Sequence, residues 1–195
     1  MVKIDIGCGS AKQPDHIGLD YVKAPGVDHV LDLTKDKYPF EDRSVDEVFS
    51  AHFFEHIKTP NHVLSEIGRI SKNGAKITIW TPYAHSSDAF LYGHETYLTE
   101  RPWINFCVTH RESFKKILNG YWELNAVTFL VLPHVQEEMK KQNIPLEFAV
   151  RHLNNVVHEF CVEMTYKTTG REEPVRPEYF YCPARDGEKS LINLS

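Results

Sequence analysis

Asp5-Ile6-Gly7-Cys8-Gly9 is a D-x-G-x-G turn standing directly after a short apolar run. Two glycines let a backbone turn sharply and approach a ligand closely, which a Cβ would block. Asp20 closes a second short run, Ile17-Gly18-Leu19-Asp20, and Asp32 a third, His29-Val30-Leu31-Asp32. A carboxylate at a strand end accepts two hydrogen bonds from the vicinal hydroxyls of a ribose. An aspartate with the following N–H, as in Asp32-Leu33, can read an adenine edge. Any one of these is also an ordinary turn former. Three in order behind a glycine turn point to a nucleotide-type ligand.

Other residues suggest other chemistry. His52-Phe53-Phe54-Glu55-His56 has the H-x-x-E-H spacing of inverted zinc peptidases. On a helix its histidines would share a face and a metal, with the glutamate as base. The segment begins right after a strand, and Pro60 opens a new helix soon afterwards. Regular helix across both histidines is therefore not expected, and no metal ligands are assigned. Further on, His85, His94 and His110 lie in or beside an aromatic stretch. Neutral histidine suits proton removal near pH 7, so these three are the candidate catalytic bases.

These residues need elements to hold them. Residues 2–6, 17–20, 29–32, 45–50 and 75–80 read as strands. Thr59 and Pro60 start a helix whose stripe is Val63, Leu64, Ile67 and Ile70, ending before Gly74. Thr109 and Glu112 have capping-box spacing for a second helix with Phe114, Ile117 and Leu118. Residues 123–132 read as a long strand, 146–157 as a helix and 160–167 as a final strand. Alternating strands and helices make an α/β sheet. Residues 81–108 form a long aromatic loop, expected as a lid or binding segment over the site. Residues 1–169 are expected as one domain, and 170–195, without clear period, as its C-terminal arm or tail. Glu137–Lys141 reads as a solvated charged face.

Composition narrows the classes. The 195 residues hold 22 Lys and Arg against 27 Asp and Glu, a net charge of −5. That disfavours a whole-surface nucleic-acid clamp. No apolar run reaches the ~18 residues that span a bilayer, and no signal-peptide pattern opens the chain. The four cysteines form no C-x-x-C pair, which argues against a disulfide scaffold or a cysteine zinc site. A reducing cytoplasm is the expected compartment.

Taken in order, Asp5-Ile6-Gly7-Cys8-Gly9, Ile17–Asp20, Val30–Leu33, Tyr38-Pro39-Phe40 with Asp42, Ser44-Val45-Asp46, then Ser50–His56 and Ile79–Pro82 resemble class I S-adenosylmethionine-dependent methyltransferases. The resemblance is good over residues 1–83 and loose to 118. It implies a Rossmann-like, mostly parallel seven-stranded sheet with an antiparallel last strand. The implied cofactor is S-adenosyl-L-methionine, with Gly7 and Gly9 beside its methionine part and Asp5 near its ammonium group. Asp20, with Tyr21 next to it, is implied at the ribose. Asp32 and Leu33 are implied at the adenine, and His52 in the methyl-donor pocket. The D/N-P-P-Y/F/W segment of nucleic-acid N-methyltransferases is missing after the fourth strand, so the implied partner is a small-molecule acceptor methylated on oxygen or nitrogen. One departure stands out: only residues 10–16 separate Gly9 from the second strand, where the family usually has a full helix. Parallel neighbours generally need a crossover of about a dozen residues. That departure keeps in view a cofactor-binding or interaction protein without catalysis; the H-x-x-E-H segment keeps a zinc hydrolase as a further alternative.

Overall fold

The computed structural model describes residues 1–194. Its centre is one nine-stranded sheet in the order β3-β2-β1-β4-β5-β7-β6-β8-β9. The strands are β1 (Lys3–Ile6), β2 (Ile17–Asp20), β3 (Val27–Val30), β4 (Val45–Ala51), β5 (Ser71–Pro82), β6 (Tyr121–Leu130), β7 (Glu159–Lys167), β8 (Glu178–Cys182) and β9 (Ser190–Leu191). β1 to β5 pair in parallel, β7 runs antiparallel between β5 and β6, and β8 lies parallel to β6. The sheet is thus mixed α/β and mostly parallel, as expected, but two strands wider. The extra two come from the tail, so the antiparallel β7 is not the last strand.

Helix α1 (Asn61–Ile70) packs one face of the sheet through Val63, Leu64, Ile67 and Ile70, all buried. Pro60 sits at its N-cap and no side chain caps it, so Thr59 does not play that part. Glu66 and Arg69 on its second half clamp the Tyr38–Asp42 segment. Glu66 accepts the Tyr38 N–H at 2.7 Å. Arg69 reaches Glu66, Asp42 Oδ1 and the carbonyls of Tyr38 and Phe40.

Two expectations need correcting. The second helical region starts at Arg101, not Thr109. It runs through α2 (Arg101–Ile104), a π turn (Asn105–Thr109) and α3 (Arg111–Phe114). Pro102 fits the first turn of α2, while no side chain caps α3, and Glu112 accepts instead from the Tyr121 hydroxyl. The 146–157 helix stops early, as α5 (Leu146–His152), ahead of Asn155 at φ 60°. The charged run at 137–141 is a solvated face as expected, carried on a helix, α4 (Pro133–Lys141), that buries no residue.

The opposite face of the sheet carries less. Trp80, Leu130, Cys161 and Cys182 form a small separate core there, flanked by Phe49, Ala51 and Leu132. Among the described residues, no helix is long and apolar enough to cross a membrane. Cys8, Cys107, Cys161 and Cys182 are all buried thiols.

Candidate cofactor site

Chain reversal after β1 builds the site. Gly7 and Gly9 have φ of +69° and +52°, the left-handed region where a Cβ is disfavoured. A Cβ on Gly7 would stand 2.5 Å from Phe53, whereas a Cβ on Gly9 would meet nothing within 4 Å. Gly7 therefore serves close packing and Gly9 faces open space, a cradle for a ligand.

The short crossover is stitched by hydrogen bonds rather than by a helix. Asp5 Oδ2 accepts the Gln13 N–H at 2.7 Å, and Ala11 and His16 N–H groups close turns onto Cys8 and Gln13. Asp28 Oδ2 accepts both the Gly18 N–H and Lys12 Nζ. The buried His16 ring meets Phe49 edge-on at 6.2 Å. Burial raises the Asp5 carboxyl to about 6, against the lowering effect of the Gln13 N–H.

Asp20 holds the turn from below. Its Oδ2 accepts the Gly9 N–H at 2.8 Å and its Oδ1 the Val22 N–H at 3.0 Å. A carboxylate has about four lone-pair sites, so roughly half its capacity remains. Asp32 is more fully occupied. Its Oδ1 takes both Thr34 donors and its Oδ2 meets Lys35, and these contacts lower its carboxyl to about 2. The Asp32 N–H is bound to Asp36.

A cleft of about 500 Å³ opens above the carboxyl ends of β1, β4 and β5. Asp5, Gly7, Gly9 and His52 line it, with Phe49, Trp80, Arg185 and Asp186 on the far side. Ligands of open α/β sheets bind at this end. Asp20 reaches it through Gly9, whereas Tyr21 (74% exposed), Asp32 and the buried Leu33 lie outside the lining.

His52, at φ 55°, ends β4 and turns its ring between two carboxylates. Nε2 is 3.1 Å from Glu159 and Nδ1 3.1 Å from Glu55. Hydrogen bonds to Glu159, then to Glu55, raise the imidazole to about 9. Burial would raise Glu159, but His52 and Arg185 outweigh it and hold the carboxyl at about 2. Arg185 donates through Nε and Nη2 to both Glu159 oxygens, and its guanidinium lies 5.4 Å over the Trp80 ring. Glu159, Arg185 and Asp186 escape the sequence reading, because neither the tail nor the start of β7 carries a motif. Trp80 stood in the family segment, though without a role.

The three candidate bases lie elsewhere. His85 stacks on Tyr83 at 5.3 Å in a separate 300 Å³ pocket with Glu100 and Arg101. His94 packs against His56, and the exposed His110 stands at the N-terminal end of α3 without capping it through its side chain. The helical His52/His56 pair is not formed either. Residues 54–56 make a single 3-10 turn, and His52 points to Glu55 and Glu159.

Residues 20–79 match a methyltransferase domain family. No curated protein matches the chain. Among solved structures, an Archaeoglobus fulgidus SAM-dependent methyltransferase has a TM-score of 0.56 at 17% identity, covering 84% of this chain and 85% of that one. A chain from the Haloferax volcanii complex of the Trm112 methyltransferase activator with a methyltransferase gives 0.51 at 18% identity, covering 85% and 82%. The 4+2 cyclase SpnF gives 0.53 at 12% identity, covering 86% and 74%. The chain shares the Rossmann-like fold of these solved methyltransferase structures, and its residues 20–79 match a methyltransferase domain model.

Proposed function

We propose that the protein transfers a methyl group from S-adenosyl-L-methionine to a nitrogen or oxygen of a small molecule. The observation that carries this reading is the open cradle at Gly9, held by Asp20 and facing the cleft. The methyltransferase-domain match agrees with it. When bound, the cofactor supplies an electrophilic methyl group on a sulfonium. The chain binds and orients it. Backbone at Gly7 and Gly9 gives close approach, Asp20 accepts from the ribose, and Asp5, ionised above pH about 6, faces the ammonium. The Phe49 and Trp80 rings wall the cleft, exclude water and suit a cation. Tyr21, Asp32 and Leu33 complete the outer, adenine side of this proposal.

Methyl transfer is an in-line displacement, so positioning supplies most of the rate. His85, His94 and His110 stand outside the cleft lining. The acceptor that fits best therefore arrives with its nucleophile already free of a proton, an amine nitrogen or an acidic oxygen. The same observation favours a second reading, a cofactor-binding protein without turnover. Fold alone does not decide between them, as the cyclase with this fold illustrates.

Titration calorimetry with S-adenosylmethionine and S-adenosylhomocysteine tests the pocket. Binding of either is expected, weakened in Asp20→Ala by ~1.5–3 kcal/mol, the worth of hydrogen bonds to a charged group. A folded Asp20→Ala variant with unchanged affinity refutes the assignment. Binding without turnover across an amine and phenol panel selects the second reading.

A further inference from the structure

The H-x-x-E-H segment presents groups that the cleft does not use. His56 Nδ1 lies 3.0 Å from the Gly93 carbonyl oxygen, and His94 Nδ1 lies 3.1 Å from that of Ala89. A carbonyl only accepts, so each neutral ring carries its proton on Nδ1 and presents a lone pair at Nε2. The rings stand 4.9 Å apart at 79°. Beside them Glu55 is 2% exposed. Its Oε1 holds His52, while its Oε2 is buried without a hydrogen-bond partner. A buried unsatisfied carboxylate oxygen is costly, on the order of 1–3 kcal/mol or more, and calls for a missing donor or cation.

One carboxylate oxygen of Glu55 and one ring nitrogen each of His56 and His94 lie within 4.8 Å of one another. Two imidazoles fixed by backbone carbonyls and one carboxylate are a zinc-type donor set with its outer hydrogen bonds in place. We propose that Glu55, His56 and His94 bind a divalent transition metal of the zinc type, with the fourth position open. Donors in a tetrahedral shell with bonds of ~2.1 Å stand roughly 3.4 Å apart. His52 is not a ligand, which distinguishes this site from the peptidase arrangement.

The site lies on a seam. The Glu55 carbonyl accepts the Glu95 and Thr96 N–H groups at 2.8 and 3.0 Å, and Thr96 Oγ1 donates to the Ile57 carbonyl. A metal there staples the segment after β5 to the turn after β4. Through Glu55 it also braces His52 at the cleft.

The test is Co2+ alone, titrated into the metal-stripped full chain. One equivalent is expected to bind with the intense visible bands of tetrahedral Co2+, to be displaced by Zn2+, and to raise the melting temperature. His94→Ala and Glu55→Gln are each expected to lose at least ~10-fold in affinity, a floor set by outer-shell changes alone. His134→Ala, on the remote helix α4, is the control for adventitious histidine binding. Metal-free melting curves establish that the variants fold. The proposal is overturned if wild-type chain takes up no Co2+ at one equivalent, or if His94→Ala and folded Glu55→Gln bind it as tightly as wild type. S-adenosylhomocysteine titration of the wild-type, metal-free chain reports on the methyl-donor reading separately.

Discussion

The two glycines of the first turn should respond differently to the same substitution. Both are in the left-handed region, where an alanine costs about 1–2 kcal/mol. In Gly7→Ala the added carbon must also displace Phe53, whose Cβ, Cγ and Cδ2 stand 2.5–2.6 Å away. The Cβ and Cγ sit at the root of the side chain, so rotation alone gives little relief. Overpacking of this kind adds about 1–3 kcal/mol, for a total of ~2–5. At ~2–4 °C per kcal/mol for a chain of this size, melting should fall by ~4–20 °C. In Gly9→Ala nothing lies within 4 Å of the new carbon, so melting should fall by only ~2–8 °C. The new methyl group instead occupies cleft space and should weaken S-adenosylhomocysteine binding by at least ~10-fold, since ~1.4 kcal/mol of lost contact or strain suffices. Differential scanning fluorimetry and calorimetry on both variants decide the matter. Wild-type affinity in Gly9→Ala, or an unchanged melting temperature in Gly7→Ala, refutes the division of labour.

Asp5 makes stability depend on pH. Its carboxyl is raised from 3.8 to about 6 by burial, so the stabilising neutral form is fully present below about 4 and is lost as pH rises through 6. Asp5→Asn should therefore melt higher than wild type at pH 8, by a ceiling of ~3 kcal/mol, with the gap closing towards pH 4; a pH-independent gap contradicts this. Arg69→Ala leaves the buried Glu66 with the Tyr38 N–H but no cation. Unfolding in urea should show a loss of ~3–5 kcal/mol, as when one partner of a buried pair is removed, and a loss under ~1 kcal/mol would refute the clamp.

The first half of the molecule was legible because its signals are local. A glycine pair after an apolar run, aspartates at strand ends and an i, i+1, i+4, i+7 stripe each declare themselves within a few residues. Asp5, Gly7, Gly9 and His52 accordingly meet at one cleft. Asp32 shows the limit of that reasoning, because its neighbours Thr34 and Lys35 engage most of its carboxylate. The second half was read less well for the opposite reason. β8 exists through its pairing with β6, some fifty positions earlier, and Arg185 matters through Glu159 and Trp80. No window of sequence holds both partners of such contacts. The Thr109–Glu112 spacing misled because a capping box works only where a helix begins, and here the chain is already helical from Arg101.

Arg185 and Asp186 close a cleft whose floor is the turn after β1. Roughly 176 residues separate the two, so closing that loop alone would oppose assembly by ~4–5 kcal/mol of chain entropy. Pairing of β8 with β6 brings the segment home. During synthesis at ~5–20 residues per second, the glycine turn exists for roughly ten to thirty seconds before Arg185 is made. Glu159 is made 26 residues before Arg185 and has no Arg185 guanidinium until then, and Trp80 lies uncovered by Arg185. A nascent chain should therefore lack the far wall of this cleft until Arg185 has been made and β8 has paired with β6.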